Sequence, residues 1–180
     1  IDFVSDVSCP WCAIGLAALE QALDRVKGDV QAQLHFQPFE LNPQMGAQGQ
    51  DVSEHLTQKY GSTPAQQEQI RDTIRERGVA VGFEFRREGR GRIWNTFDAH
   101  RLLHWAGLEG ADKQHALKKA LLVAHHGRGE SPASPDVLVA AAESAGLDAA
   151  RAREILAGDD YAADVRAQEQ YYTSAGIHSV

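Results

Sequence analysis

The stretch Cys9-Pro10-Trp11-Cys12 holds the only two cysteines of the 180-residue chain. Residues 1–7, just before it, alternate in polarity and predict a strand, whereas residues 13–26 carry apolar side chains at helical spacing. The pair therefore lies at a predicted strand-to-helix turn. Cys9 falls at the helix N-cap, and Pro10 takes the first helical position, where its missing N–H costs nothing.

This position predicts the reactivity of the two sulfurs. The first-turn N–H groups and the helix dipole point at Cys9 and favour its thiolate, so its pKa should lie below the usual value of about 8.5. Cys12 lies one turn deeper, within reach of a mixed disulfide on Cys9. We expect Cys9 to be the nucleophile and Cys12 the resolving thiol.

Two other uses of the pair fit the sequence less well. A structural disulfide across so short a loop would constrain the unfolded chain little. A zinc site needs about four ligands, and the chain has no second cysteine pair and no histidine at a ligand-like spacing from this one. We therefore predict redox chemistry and no metal.

Composition excludes several classes of protein. The net charge of −7 and pI near 5.6 argue against a nucleic-acid surface. No apolar run approaches the roughly 18 residues of a membrane span. Two cysteines do not resemble the disulfide framework of a secreted domain, so a cytoplasmic location is the default, although a cleaved signal peptide would leave no trace.

The rest of the chain changes from β to helical character. A second strand is predicted over 31–41, with Pro38 suited to an edge. We expect residues 1–45 to form a β-α-β unit, 46–160 a helical insertion, and 161–180 a helix that returns to the first unit. Turn and cap residues place the later helices at 51–60, 63–77, 95–106, 111–126, 134–145, 148–157 and 161–174.

Several stretches carry a family resemblance. They are Phe3-Val4-Ser5-Asp6-Val7-Ser8-Cys9-Pro10-Trp11-Cys12 with Ile14-Gly15, Phe39-Glu40-Leu41-Asn42-Pro43, Tyr60-Gly61, Asn95-Thr96-Phe97-Asp98-Ala99-His100-Arg101-Leu102, and Ala175-Gly176-Ile177-His178-Ser179-Val180. Together they resemble the DsbA-like thioredoxin superfamily and, within it, the FrnE-like oxidoreductases. The resemblance implies an α/β thioredoxin-like fold with a large all-helical insertion and dithiol–disulfide chemistry at Cys9 and Cys12.

The end of the sequence departs from that family. A cis-proline that faces the cysteine pair normally follows the closing Gly-Ile-x-x-Val pattern, and here Val180 is the last residue. Two further strands and a closing helix of such a fold are also absent. We therefore expect the sheet to be incomplete in this sequence and the natural protein to be longer.

Other residues are weaker candidates for the site. Pro10 and Trp11 form the active-site loop, and Trp11 is expected to be exposed to substrate. The resemblance suggests that Asn95 and Thr96 reach the substrate cleft, with an N-cap role as the simpler alternative. His100 is a candidate for tuning the thiolate, although two histidines one turn apart on a helix are more often ordinary residues. The resemblance places His178 near Cys9, where a cation would stabilise the thiolate.

Two basic stretches receive simpler interpretations. The arginines over 86–92 suit a solvated loop, with binding of an anion such as the glutathione carboxylates as the alternative. His125 and His126 precede Gly127 and suit a helix C-terminus, where the dipole favours a cation.

The sequence thus predicts a thiol–disulfide oxidoreductase that acts on protein or small-molecule thiols and disulfides, with no bound cofactor. One alternative is a glutathione-dependent isomerase or transferase of the kappa-class or hydroxychromene carboxylate isomerase type. Those relatives typically carry serine at the Cys9 position, which argues against it. Another alternative is a redox-switched holdase. Oligomeric state, substrate and direction are left open by the sequence.

Overall fold

The β-α-β unit at the start of the chain positions the cysteine motif. The structure is a computed structural model that describes residues 1–180 throughout. Strand β1 (Asp2–Ser5) leads into helix α1 (Pro10–Arg25), and strand β2 (His35–Pro38) pairs with β1 in parallel, with Phe3 opposite Phe36.

Both strands are shorter than predicted. Asp6 ends β1, because its carboxylate accepts the Ser8 N–H at 3.0 Å and its carbonyl accepts the Cys9 N–H at 3.2 Å. These bonds turn the chain directly into α1, so residues 6–9 form the connection rather than the end of a strand. The predicted order of β-α-β elements is correct.

The remaining elements are mostly helical. They are β3 (Gln50–Asp51), α2 (Val52–Tyr60), α3 (Pro64–Ala80), β4 (Arg92–Ile93), α4 (Phe97–Glu109), α5 (Ala111–Leu122), α6 (Pro135–Ser144), α7 (Ala149–Ala157) and α8 (Ala162–Ser174). Strands β3 and β4 pair antiparallel and were not predicted. None of these helices combines the length and the apolar character that a membrane crossing requires.

Two helix ends differ from the sequence prediction. Gly78 lies inside α3 rather than ending it. A side chain at this position would meet the Phe85 ring at 2.5 Å and the Phe83 carbonyl at 2.6 Å. The glycine is thus required by close packing. The helix predicted over 111–126 is α-helical only to Leu122 and then forms a π-helical turn, Val123–Gly127.

The main core lies among the inserted helices. It contains 16 buried apolar residues, nearly all of them from α4 to α7 and the turn after α6. Val7, next to the cysteine motif, belongs to this core and is fully buried. The motif is therefore anchored in the helical part of the molecule as well as in the sheet.

A side-chain clamp joins the helical part to β2. Gln114, on α5, accepts the Phe36 N–H at 2.9 Å and donates to the Phe36 carbonyl at 3.0 Å. It also donates to the Leu103 carbonyl at 3.1 Å. One amide thus pairs with both backbone groups of a strand residue, as a neighbouring strand would. The domain boundaries proposed from the sequence stay predictions.

Candidate functional site

The cysteine motif occupies the N-terminus of α1 as predicted. Cys9 is the N-cap with extended backbone (φ −87°, ψ 115°), and Pro10 begins the helix. Both cysteines are reduced thiols and are nearly covered, with 2% of Cys9 and 6% of Cys12 exposed. Trp11 between them is 47% exposed, so it forms the accessible surface of the motif.

The two sulfurs have opposite proton affinities. The Cys12 thiol donates to the Cys9 sulfur and, with the first-turn N–H groups of Trp11 and Cys12, lowers the pKa of Cys9 to about 7 against the opposing effect of burial. The same contact with Cys9, together with burial, raises the pKa of Cys12. Near neutral pH Cys9 is therefore partly ionised, whereas Cys12 stays a thiol.

A buried carboxylate supports the turn before the motif. Asp6 is 1% exposed, and its second oxygen accepts the Leu41 N–H at 2.7 Å. His100 Nε2 lies 3.6 Å from its first oxygen. Burial opposes ionisation of Asp6, but His100 and the backbone N–H groups outweigh it and lower its pKa. His100, a weak candidate from the sequence, thus contacts the turn that carries Cys9.

His125 and His126 were predicted to be cations favoured by the dipole at a helix end, and this prediction is wrong. Both side chains are buried in the π-helical turn, and burial lowers the pKa of both, that of His125 to about 4. They are neutral near pH 7 and are not cations at a helix end. His126 Nε2 donates to the Val7 carbonyl at 2.9 Å, which ties this turn to the segment before Cys9.

The simple interpretation of the arginine stretch is also wrong at one residue. Arg90 turns inward, and its Nη1 donates to the Ser8 carbonyl at 2.6 Å, next to Cys9. The loop forms one wall of a cleft of about 530 Å³ that α2, α3 and Pro10 also line. Arg71 and Arg87 lie in the same cleft. The cysteine motif thus borders a cleft lined by five guanidinium groups and four carboxylates, which are those of Asp51, Glu68, Asp72 and Glu88.

Asn95 and Thr96 lie at the start of α4, and neither side chain makes a hydrogen bond to a cysteine. The Asn95 side chain accepts the Phe97 N–H at 2.9 Å and donates to Glu40 and to the Met45 carbonyl. Thr96 is buried and makes no side-chain cap bond. Asn95 precedes the N-cap, Thr96, and its side chain pairs the first N–H of α4. A role of either residue in the substrate cleft stays a prediction.

The structure does not bring His178 to the cysteines. His178 is exposed and lines a cavity of about 430 Å³ with Glu40 and Arg166. The group of this segment that contacts the motif is the Val180 carbonyl oxygen, 3.4 Å from the Cys9 sulfur. A tuning role for His178 therefore stays a prediction without a contact behind it.

Sequence reasoning missed Lys118 and Gln114. Both lie on the buried face of α5, at positions where the helical repeat calls for apolar residues, and Lys118 is fully buried. That mismatch of a polar residue with an apolar position was the available sign. No group of three or more His, Cys, Asp or Glu side chains is arranged to hold a metal ion.

Comparison with known proteins agrees with this geometry. The profile of the DSBA-like thioredoxin domain matches residues 1–178. The chain belongs to this family. The fold that the sequence predicted, a thioredoxin-like α/β unit with a helical insertion, is confirmed by that match and by the structure.

Two solved structures show the same family fold. A Streptomyces coelicolor protein described as a DsbA oxidoreductase superposes with a TM-score of 0.90 at 33% identity, over 99% of this chain and 76% of that one. A Nitrosomonas europaea protein described as a protein disulfide isomerase gives a TM-score of 0.71 at 18% identity, over 99% and 79%, and supports the fold alone. The chain matches no curated protein sequence.

Proposed function

We propose that this protein is a thiol–disulfide oxidoreductase that works through Cys9 and Cys12, of the FrnE-like type. The observation that carries the proposal is the asymmetry of the pair, with a Cys9 pKa near 7 and a raised Cys12 pKa. Such a pair supplies a thiolate for the first attack and keeps the second thiol protonated until it is needed. Membership of the DsbA-like thioredoxin family supports the same chemistry.

The reaction follows from that asymmetry. The Cys9 thiolate attacks a substrate disulfide, forms a mixed disulfide, and releases one substrate thiolate. The Cys12 sulfur then attacks Cys9 and releases the second substrate thiolate, which leaves the Cys9–Cys12 disulfide. Two electrons pass from the cysteine pair to the substrate, and the reverse sequence oxidises a substrate dithiol.

The thiolate pKa favours the reducing direction. In thioredoxin-fold enzymes the nucleophile has a pKa of about 7 in thioredoxin and about 3.5 in DsbA. A less stabilised thiolate makes the dithiol a stronger reductant, so we expect a potential nearer thioredoxin's about −270 mV than DsbA's about −120 mV. A cytoplasmic location would keep such a dithiol reduced.

The test is turnover combined with trapping. Wild-type protein should catalyse reduction of insulin by dithiothreitol, and Cys9→Ser should abolish that catalysis. Cys12→Ser should instead accumulate a mixed disulfide on Cys9, visible by mass spectrometry after reaction with oxidised peptide. If Cys9→Ser keeps wild-type turnover, or if Cys12→Ser traps nothing, the proposed chemistry is refuted.

Three arginines of the cleft beside Pro10 are outside ion pairs, Arg71, Arg87 and Arg90, and they favour a second candidate, a glutathione-dependent reaction. Guanidinium groups bind carboxylates in bidentate fashion, and glutathione carries two carboxylates next to its thiol. This candidate requires glutathione-dependent turnover that survives Cys12→Ser, because only one thiol is then needed. Loss of all turnover in that variant would leave the dithiol reaction alone.

A further inference from the structure

Arg90 reaches the cysteine motif from the loop between α3 and β4. Its Nη1 atom donates to the Ser8 carbonyl at 2.6 Å, and Ser8 immediately precedes Cys9. This is the one hydrogen bond of the Arg90 side chain, which also has no ion-pair partner, unlike Arg75 and Arg86 of the same cleft. The loop thus brings a guanidinium without a bound carboxylate to the nucleophile.

The backbone of the loop is shaped to direct this side chain inward. Gly89 and Gly91, on either side of Arg90, adopt φ angles of 77° and 73°, in the left-handed region that other residues rarely enter. The two glycines let the chain turn both before and after Arg90. The inward position of Arg90 therefore depends on the backbone of the loop as well as on its own rotamer.

The hydrogen bond sets an upper limit on the distance between the guanidinium and the sulfur. Standard bond lengths put the Ser8 carbonyl oxygen no more than about 5.6 Å from the Cys9 Sγ atom. Since Nη1 lies 2.6 Å from that oxygen, it is within about 8 Å of the sulfur in every rotamer of Cys9. At about 8 Å, Coulomb's law predicts that a cation favours the thiolate by about 0.4 to 1.5 pH units, for dielectric constants of about 80 and 20.

Three other titratable groups act on the Cys9 sulfur. They are Cys12 on α1, Asp6 before the motif and Lys118 on α5. Asp6 disfavours the thiolate, and burial lowers the pKa of Lys118, which favours its neutral amine. A guanidinium stays charged in proteins, so Arg90 is the permanent cation of this set. In return, the charge of Cys9 raises the pKa of Arg90 against the effect of burial.

The groups that face Arg90 include one carboxylate, that of Asp6. The full set is Asp6 and Cys9 at the motif, His55 and Tyr60 on α2, and His125 and His126 in the π-helical turn. Burial lowers the pKa of the three histidines, so they are neutral near pH 7. The charge of Arg90 therefore acts on Asp6 and on Cys9, the two acidic groups of the turn.

We propose that Arg90 is the positioning residue of the nucleophile: its hydrogen bond to the Ser8 carbonyl holds the backbone of the turn and keeps a fixed positive charge near the Cys9 sulfur. This is the task that the sequence suggested for His178. The proposal rests on the proposed function, because it concerns the thiolate that begins the dithiol reaction. It gives the loop of the inserted part a role in the chemistry as well as in the cleft.

The experiment compares the pH dependence of Cys9 alkylation in reduced wild type, Arg90→Met, Arg90→Lys and Arg92→Met. Arg90→Lys keeps the charge and loses the planar fork of donors. Arg92 is the matched control, because it also donates to backbone carbonyls, but to those of Gln48 and Gly49 instead of the motif. Modification of Cys9 by iodoacetamide is followed by mass spectrometry.

We expect Arg90→Met to raise the apparent pKa of Cys9 from about 7 by about one pH unit, and Arg90→Lys to raise it by less than half as much. Arg92→Met should leave it unchanged. In a glutathione redox buffer at pH 8, the equilibrium constant for oxidation of the cysteine pair should rise about fivefold in Arg90→Met, because the reduced state loses thiolate stabilisation. Below about pH 6 the constants of wild type and Arg90→Met should agree, since Cys9 is then a thiol in both.

Four results would overturn the proposal. In the first three, the apparent pKa of Cys9 stays near 7 in Arg90→Met, or rises as much in Arg90→Lys as in Arg90→Met, or rises equally in Arg92→Met. The fourth is an alkylation rate that changes by the same factor at every pH, which is the result of a loosened turn without an effect of charge. If Arg90→Met fails to fold, Arg90→Gln, which keeps an N–H donor and loses the charge, must give the same rise.

Failure of the proposed function gives a different pattern. If wild-type protein does not reduce insulin, the dithiol reaction is absent, whereas the alkylation profiles still decide whether Arg90 favours the Cys9 thiolate. If wild type reduces insulin and Arg90→Met keeps the wild-type alkylation profile, only the role of Arg90 is refuted.

Discussion

Replacing Cys12 with alanine tests what sets the reactivity of Cys9. The Cys12 thiol is the largest cause of the lowered Cys9 pKa, ahead of the first-turn N–H groups, whereas burial and Asp6 act in the opposite direction. Without that thiol the lowering contributions are weaker and the opposing ones remain. We therefore expect the pKa of Cys9 to rise from about 7 toward its usual value of about 8.5.

The expected change in rate reverses with pH. For a full return to a pKa of about 8.5, the thiolate fraction of Cys9 at pH 6 falls roughly thirtyfold, but the remaining thiolate is more basic and more nucleophilic. With a Brønsted coefficient of about 0.45, alkylation should then be about sixfold slower at pH 6 and about fivefold faster at pH 10. The two pH–rate profiles should cross between these values.

The assay is the rate of alkylation by iodoacetamide against pH, followed by mass spectrometry. Cys9→Ala is the control, because its one remaining thiol, Cys12, is buried and should react slowly. An apparent pKa that stays near 7 in Cys12→Ala would refute the reasoning. It would show that the helix terminus sets the pKa of Cys9 without help from the second thiol.

Three further predictions concern stability. Because the pKa of Cys9 is lower in the folded state than in the unfolded chain, the reduced protein should gain up to about 2 kcal/mol over Cys9→Ser as the pH rises from about 6 to about 8.5, and lose it as the pH falls through about 7, measured by urea unfolding; a flat difference over this range would contradict this. Gln114→Leu leaves the Phe36 N–H and carbonyl unpaired and should cost about 2–4 kcal/mol, whereas Gln21→Leu, which removes one exposed hydrogen bond, should cost less than about 1 kcal/mol; equal costs would refute the clamp. Asp6→Asn should lower stability at pH 7 by about 1.5–3 kcal/mol and less at acidic pH, since the lowered pKa of Asp6 gives stability that is lost as its carboxylate is protonated; a loss that is the same at pH 3 would exclude this ionic contribution.

Local patterns predicted most of the fold. The cysteines between a strand and a helix, Pro10 at the first helical position, and the Thr63 capping box before α3 are all readable from neighbouring residues. Strand ends were less predictable, because Asp6 ends β1 through its side chain rather than through its β propensity. The β3–β4 pair could not be predicted from local patterns, because each strand has only two residues and their pairing depends on the tertiary fold.

The candidate site was predicted only where its chemistry is local. Cys9 and Cys12 follow from one motif, whereas Arg90, His126 and Lys118 reach it from distant segments. Each looked ordinary in the sequence, as a loop arginine, a helix-end histidine and a lysine on a charged helix. Burial reverses these interpretations, and burial depends on how the inserted helices pack against the first unit.

The amide of Gln114 also closes one edge of the sheet to the addition of a further strand. It occupies the hydrogen-bonding groups of Phe36 on the edge of β2 away from β1. An extended chain therefore cannot join the sheet there as an extra strand, a common mode of peptide capture. The helix that carries Gln114 thus gives the sheet a closed edge without a further strand, and the accessible surface beside the sulfurs is the exposed ring of Trp11.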